Sequence, residues 1–278
     1  MAKKQLIMEK ALELFAKQGF EATSVQQITE YCGISKGAFY LAFKSKDELI
    51  LALLDHFMEQ YIADIDYTVK NSKNESLLYS FYYTAFHSLH EHSNFAKLLI
   101  KEQAQTFNGE LLIKMQYYDQ LLEKLILSLI ERIFGDALTK YDLIYSIRGL
   151  MNVYTGLLIF HNIPFELDVL ARSLSEKTKI LAEHSTIPFI TKEVSMFIKQ
   201  HPIKKEVSKE EILDAIEQKI KELEESLEKE SLLLLKEEII NPSYHSAIVA
   251  GLLENIQNHP HCKWVAYLLR KYFATEKE

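Results

Sequence analysis

Residues 24 to 46 read Ser-Val-Gln-Gln-Ile-Thr-Glu-Tyr-Cys-Gly-Ile-Ser-Lys-Gly-Ala-Phe-Tyr-Leu-Ala-Phe-Lys-Ser-Lys, an order that few backbones accept. Ser24 stands where its hydroxyl can take up an orphaned N–H at the start of a helix, and Gln27 can reach back to complete a capping box. From about Val25 onward, Val25, Ile28 and Tyr31 or Cys32 recur at helical spacing as a buried face. Gly33 then supplies the left-handed residue that ends the helix. Ile34 plugs the turn. Ser35 caps a second short helix to about Phe43, in which Phe39 and Phe43 face inward while Lys36, Tyr40 and Lys44 share another face. Two short helices about a tight glycine turn are a helix-turn-helix, and a face of cation, phenol and cation suits phosphate contact with some base contact.

An amphipathic helix precedes this pair, with Ile7, Ala11, Leu14 and Phe15 on one side and Gly19 stopping it before Phe20. From Ala11 on, with Leu14, Phe15, Gly19, Phe20, Thr23, Ser24, Val25, Ile28, Gly33 to Gly37, Phe39, Tyr40, Phe43 to Lys46, Glu48 and Leu49, the chain resembles the TetR-type bacterial transcriptional regulators over about the first fifty positions. One departure is Ala42, where that family often has His or Tyr. The DNA contacts expected are Lys36, Tyr40, Lys44 and Lys46, with Thr23 and Ser24 near phosphates and Ser35, Gly37 and Ala38 near base edges.

Eight glycines and five prolines in 278 residues leave few breaks, so the expected fold class is all-α. We expect a head over 1–48, an effector-binding and dimerisation body over 49–186, and a C-terminal helical extension over 187–278. In the extension, residues 204 to 238 read as one charged helical arm with a heptad-like stripe of Ile212, Ile216, Ile220, Leu223 and Leu227, and 187 to 200 as a further helix. Other helices are expected over about 46–69, 75–91, 94–106, 109–134, 140–161, 165–184, 243–257 and 261–273. Residues 1 to 48 hold seven lysines and six acids, a balance of +1 that leaves −8 for the rest of a chain of net charge −7. An acidic body with less acidic heads favours approach to DNA in one orientation. Lys3 and Lys4 lead into no signal-type apolar run and no uninterrupted apolar stretch reaches roughly 18 residues, so the expectation is a cytoplasmic protein without membrane insertion. Cys32 and Cys262 are too few for a disulfide framework.

The resemblance implies a homodimer, its last two body helices (140–161 and 165–184) pairing with those of a second subunit, and a palindromic double-stranded operator that matches the two-fold symmetry. It also implies a repressor released by a small effector held among the central helices. There the aromatic and imidazole groups of Tyr82, Tyr83, Phe86, His87, Phe107, Tyr117, Tyr118 and Tyr154 suit a hydrophobic or aromatic molecule. No phosphate-binding glycine loop, nucleophile elbow or His-Glu-x-x-His is present, so neither an enzyme, a metal nor a cofactor is expected. A second reading stays open, an effector-independent DNA-binding structural or cell-cycle factor that recruits a protein partner through the C-terminal arm.

Overall fold

A computed structural model describes residues 2–93, 95–97, 109–161, 166–198 and 208–275. Among these, every regular element is a helix: α1 Ala2–Gln18, α2 Val25–Cys32, α3 Lys36–Ala42, α4 Lys46–Asn71, α5 Asn74–Glu91, α6 Gly109–Phe134, α7 Lys140–Phe160, α8 Leu167–His184, α9 Lys192–Ile198, α10 Lys209–Glu222, α11 Leu227–Ile240, α12 Ser246–Gln257 and α13 Lys263–Thr275. The fold is all-α, as the scarcity of breakers implies. Most of the helix expected over 94–106 lies outside the described residues.

The chain divides into two compact units. The first comprises Met1–Tyr61 and Thr68–Ile203, the second Ile62–Tyr67 and Lys204–Glu278. In the first unit α1, α2 and α3 pack together as a head, and α5 lies along α8 with α6 and α7 beside them. Leu77, Leu78, Phe81, Ala85 and Phe86 of α5 and Ala171 and Leu174 of α8 are buried between these helices. Gly135 takes φ 69°, the left-handed turn that ends α6. Arg132, near the end of α6, donates to the carbonyls of Val69 and Ser72 and to Asn74 Oδ1 (2.8 Å), tying down the passage from α4 to α5.

Helix α7 is, by length and composition, apolar enough to cross a membrane, yet only 22% of its most apolar window is buried in the single chain. Its ionised groups are used inside the unit. Asp142 Oδ1 accepts the N–H groups of Phe189 (3.2 Å) and Ile190 (2.9 Å), and Arg148 donates to Asp119. The outer side of α7 and α8 exposes Val153, Leu157, Phe160, Val169, Ile180 and Leu181. The helix expected over 187 to 200 is shorter, because Pro188 and the two N–H bonds to Asp142 hold 187–190 out of helical geometry.

In the second unit α10 packs on α11 and α13, and α12 on both α11 and α13. The single arm expected over 204 to 238 is two helices. Leu223 is extended, and Ser226 takes the N–H of Lys229 at 3.3 Å, starting α11 with a cap of its own. Ile212 and Ile216 are buried as the stripe demands, while Leu227, beyond the break, is exposed. Ile62, Ala63, Ile65 and Asp66, in the middle of α4, are buried too; Arg270 donates to Asp66 Oδ2 at 2.8 Å and Lys263 to Asp64. Residues 199 and 204 positions apart are thereby joined.

Candidate nucleic-acid interface

The head is assembled from local bonds around a small apolar core. Gly19 takes φ 89° after α1, and Ser24 then opens α2: its Oγ accepts from Gln27 N at 3.2 Å, and Gln27 Oε1 accepts from Ser24 N at 2.8 Å. Both halves of the capping box are in place. Gly33 takes φ 65° and its N–H donates to Glu30 O at 3.1 Å, while Ile34 N donates to Thr29 O at 3.0 Å, which satisfies the carbonyls at the end of α2. Ser35 Oγ accepts from Ala38 N (3.1 Å) to open α3, and Ser45 Oγ from Glu48 N (3.0 Å) to open α4. Ile7, Ala11, Phe15, Ile28, Phe39, Phe43 and Leu49 fill the space between.

With Phe39 and Phe43 fixed inward, α3 turns Lys36, Gly37 and Tyr40 to solvent, and Lys44 follows just beyond its end. Tyr40 is half exposed and set edge-on against Phe39 at 5.5 Å. Ala38 is half-buried, and Ser24 and Ser35 are exposed with their hydroxyls accepting cap bonds. Lys46 is turned further inward. Its Nζ donates to Phe20 O at 2.7 Å and sits 4.2 Å from the centre of the Phe20 ring, which pins the α1–α2 connection to the start of α4. Thr23 is buried. Its hydroxyl donates to Gly19 O at 2.7 Å and accepts from Gln18 Nε2 at 3.1 Å, so its side chain is committed within the head. On α2, Tyr31 is exposed and Cys32 half-buried; Tyr31 donates to Glu13 Oε2 at 2.6 Å. A bond from Lys10, and then the one from Tyr31, holds the Glu13 carboxyl below its ordinary range. Leu41, absent from the contacts expected of the sequence, is left 92% exposed by α3; its signal is an apolar residue on the polar side of that short helix.

A second feature lies further along the same unit. Phe57, Met58 and Tyr61 of α4, Leu89 of α5, Met115, Asp119 and Leu122 of α6, and Tyr145, Arg148, Gly149, Met151, Asn152 and Thr155 of α7, with Ala96, line a cavity of about 530 Å³. Its wall is largely apolar, with the Asp119–Arg148 pair as its charged edge; Arg148 Nη1 also lies 3.5 Å from Glu123 Oε2. The described residues among those expected at an effector do not line this cavity. Tyr82 and Phe86 are fully buried, the Tyr82 hydroxyl 2.7 Å from that of Thr178. Tyr118 is buried with its hydroxyl donating to Asp55 Oδ1 at 2.9 Å, and burial first, then Glu59 and Asp55, raises the phenol's pKa. Tyr83 stacks on His87 at the surface, and Tyr117 and Tyr154 are half-buried. Phe107 lies outside the described residues. What the residue types conceal, helical spacing carries: 57, 58 and 61; 115, 119 and 122; 145, 148, 149, 152 and 155 are one-sided rows on three helices.

The family model for bacterial regulatory proteins of the tetR family matches residues 7–53, the span of the capped helices just described. The head of this chain is thus similar to the DNA-binding domain of the tetR family. It is similar to two uncharacterized HTH-type transcriptional regulators of Bacillus subtilis, YerO (29% identical, covering 91% of this chain and 89% of the relative) and YuxN (29%, covering 91% of each). The fold is similar to that of the transcriptional regulator FadR from Bacillus subtilis, solved in complex with stearoyl-CoA, at 19% identity and a TM-score of 0.54, over 63% of this chain and 96% of FadR. The chain carries substantially more residues than FadR matches, and the relatives YerO and YuxN align with most of that excess.

Proposed function

We propose that this protein is a homodimeric TetR-family repressor that lays α3 of each subunit in a major groove of a palindromic operator and is released by a small hydrophobic or aromatic effector. The observation that carries the reading is the head itself: α3 is capped by Ser35, anchored by Phe39 and Phe43, and turns Lys36, Gly37, Tyr40 and Lys44 outward together. The apolar outer side of α7 and α8 supports the dimer, since a helix that is apolar nearly all round has to be covered all round. Two heads so joined must present their reading helices about 34 Å apart to meet successive grooves of one face. A regulator of this kind works where the DNA is, in the cytoplasm.

Helix α4 supports a route for release. It begins at the Ser45 cap in the head and brings Phe57, Met58 and Tyr61 to the cavity wall, about 17 Å further along its axis. A molecule that fills the cavity better when α4 is shifted favours that arrangement by its difference in affinity, and the spacing of the heads follows. The mostly apolar wall with one charged pair suits an amphipathic or aromatic molecule. Because FadR was solved with stearoyl-CoA, fatty acyl compounds lead the screen, with apolar cations and dyes beside them.

Fluorescence anisotropy on a duplex selected from random sequence by the full-length protein, across a salt series and beside a scrambled duplex, tests this function. Two subunits per palindrome and a strong preference for the selected duplex are expected, and Lys36→Ala or Lys44→Ala should each lower the salt slope by about one per subunit. Equal weak binding to both duplexes would refute it. The partner-recruiting alternative draws on one observation: α11 and α12 expose Leu227, Leu233, Leu234, Ile240 and Ile248. A regulator whose DNA affinity no compound in the screen alters, and whose stability none raises, would favour that alternative.

A further inference from the structure

Leu41 is the most exposed large apolar side chain among the described residues, at 92%. A single exposed leucine is ordinary on a protein surface, but the position of this one is not. Phe39 and Phe43, both buried, fix the roll of α3. At about 100° per residue, Leu41 lies roughly 180° from their mean direction and Gly37, one turn earlier, stands beside it. These two residues therefore form the crest of the helix, with Tyr40 and the lysines along one side of it.

Gly37 is not required by the protein's own fold. Its φ is not left-handed, and a Cβ built there would meet only Ser35 Oγ at 3.8 Å, an ordinary contact. A glycine inside a helix costs up to about 1 kcal/mol relative to alanine, so even in the first turn the bare backbone brings α3 no stability of its own. Its effect is to let the crest beside Leu41 approach another surface closely. In the major groove nearly every group on a base edge is a donor or an acceptor, and the apolar exception is the C5-methyl of thymine. A leucine side chain has no polar atom with which to read anything else.

We propose that Leu41 reads a thymine methyl group in each operator half-site, with Gly37 giving it the close approach it needs. The proposal rests on α3 being the helix that enters the groove. Its test uses the full-length protein on its selected operator, with each thymine of one half-site replaced in turn by deoxyuridine, which removes only the methyl. At one thymine the wild-type protein should bind about fourfold more weakly, the worth of one buried methyl. Leu41→Ala should bind the thymine and deoxyuridine duplexes alike while keeping the wild-type melting temperature, because so open a side chain contributes little to the head. Gly37→Ala should melt no lower than wild type and bind more weakly.

Wild-type binding indifferent to every replacement overturns the proposal, as does a Leu41→Ala variant that keeps the wild-type penalty, or a selected half-site without thymine. If the wild-type protein prefers no duplex to a scrambled one, the DNA-reading function itself fails and this proposal falls with it. Selective binding without methyl dependence refutes only the role of Leu41.

Discussion

The head and the second unit are both small helical assemblies, yet they are held by opposite means. In the head, the bonds that set the ends of the short helices each span three residues: Ser24 with Gln27, Ser35 with Ala38, Ser45 with Glu48, Gly33 with Glu30; the longer ones, Tyr31 to Glu13 and Lys46 to Phe20, only tie the finished helices together. In the second unit the deciding polar bonds reach from α13 to α4, between Lys263 and Asp64 and between Arg270 and Asp66. Local bonds let a reading helix form early and keep its own geometry, since little loop entropy is lost in making them. Distant bonds instead require the long loop between residues 67 and 204 to be closed before they can form.

Breaking each assembly at its centre should show the contrast most strongly. Phe39→Ala empties the middle of the head core and should cost about 4 kcal/mol, abolishing operator binding in anisotropy. Thermal unfolding should meanwhile retain the transition of the remaining helices. Arg270→Ala removes the guanidinium partner of buried Asp66 and should cost about 3 kcal/mol. Hydrogen exchange should then rise both in α13 and in residues 62–67 of α4; a rise confined to α13 would contradict the long-range coupling.

Smaller changes sharpen the same comparison. Ser24→Ala removes one cap and half of a capping box, a loss of about 1 kcal/mol, and its faster exchange should stay within α2. In the cavity, Gly149→Ala should preserve operator binding, since a Cβ there meets nothing within 4 Å, while weakening release by any effector that binds there. The least perturbing probe is the pair of native thiols. Cys262 is fully buried and burial pushes its pKa up to about 11, whereas Cys32 is half-buried with a pKa raised by the same cause. Since the thiolate is the reactive form, iodoacetamide at pH 8 should modify Cys32 first and Cys262 only as the second unit opens. Faster modification of Cys262 in the folded protein would contradict its burial.

This difference in range also governs what can be read from the residues in order. Caps and glycine turns announce themselves within four positions, so the boundaries of α2, α3 and α4 follow from Ser24, Gly33, Ser35 and Ser45. Ser226 is a cap of the same kind, but the stripe running from Ile212 to Leu227 outweighs it, and two helices look like one. Residue type says less over longer range: Tyr82, Phe86 and Tyr118 are aromatic enough for a pocket, but nothing in their spacing shows that all three are buried or that Thr178 and Asp55 meet two of their hydroxyls. The cavity rows on α4, α6 and α7 are each visible as helical spacing, but only tertiary packing says that they face one another. Nor does the pattern of α4 mark residues 62–67 as belonging with α13, for a helix buried on most sides looks the same whichever neighbours bury it.

That shared stretch of α4 has a consequence for how such a protein can change over time. Residues 204 to 278 look like a removable tail, but they fold around six residues encoded far upstream, in the helix that carries the cap of Ser45 and the cavity wall. A chimera that exchanged the tail alone would bring a new surface to Ile62, Ile65, Asp64 and Asp66 and leave all four facing the wrong neighbours. Grafting succeeds only if both pieces travel together, so residues 62–67 and 204–278 are obliged to descend as one.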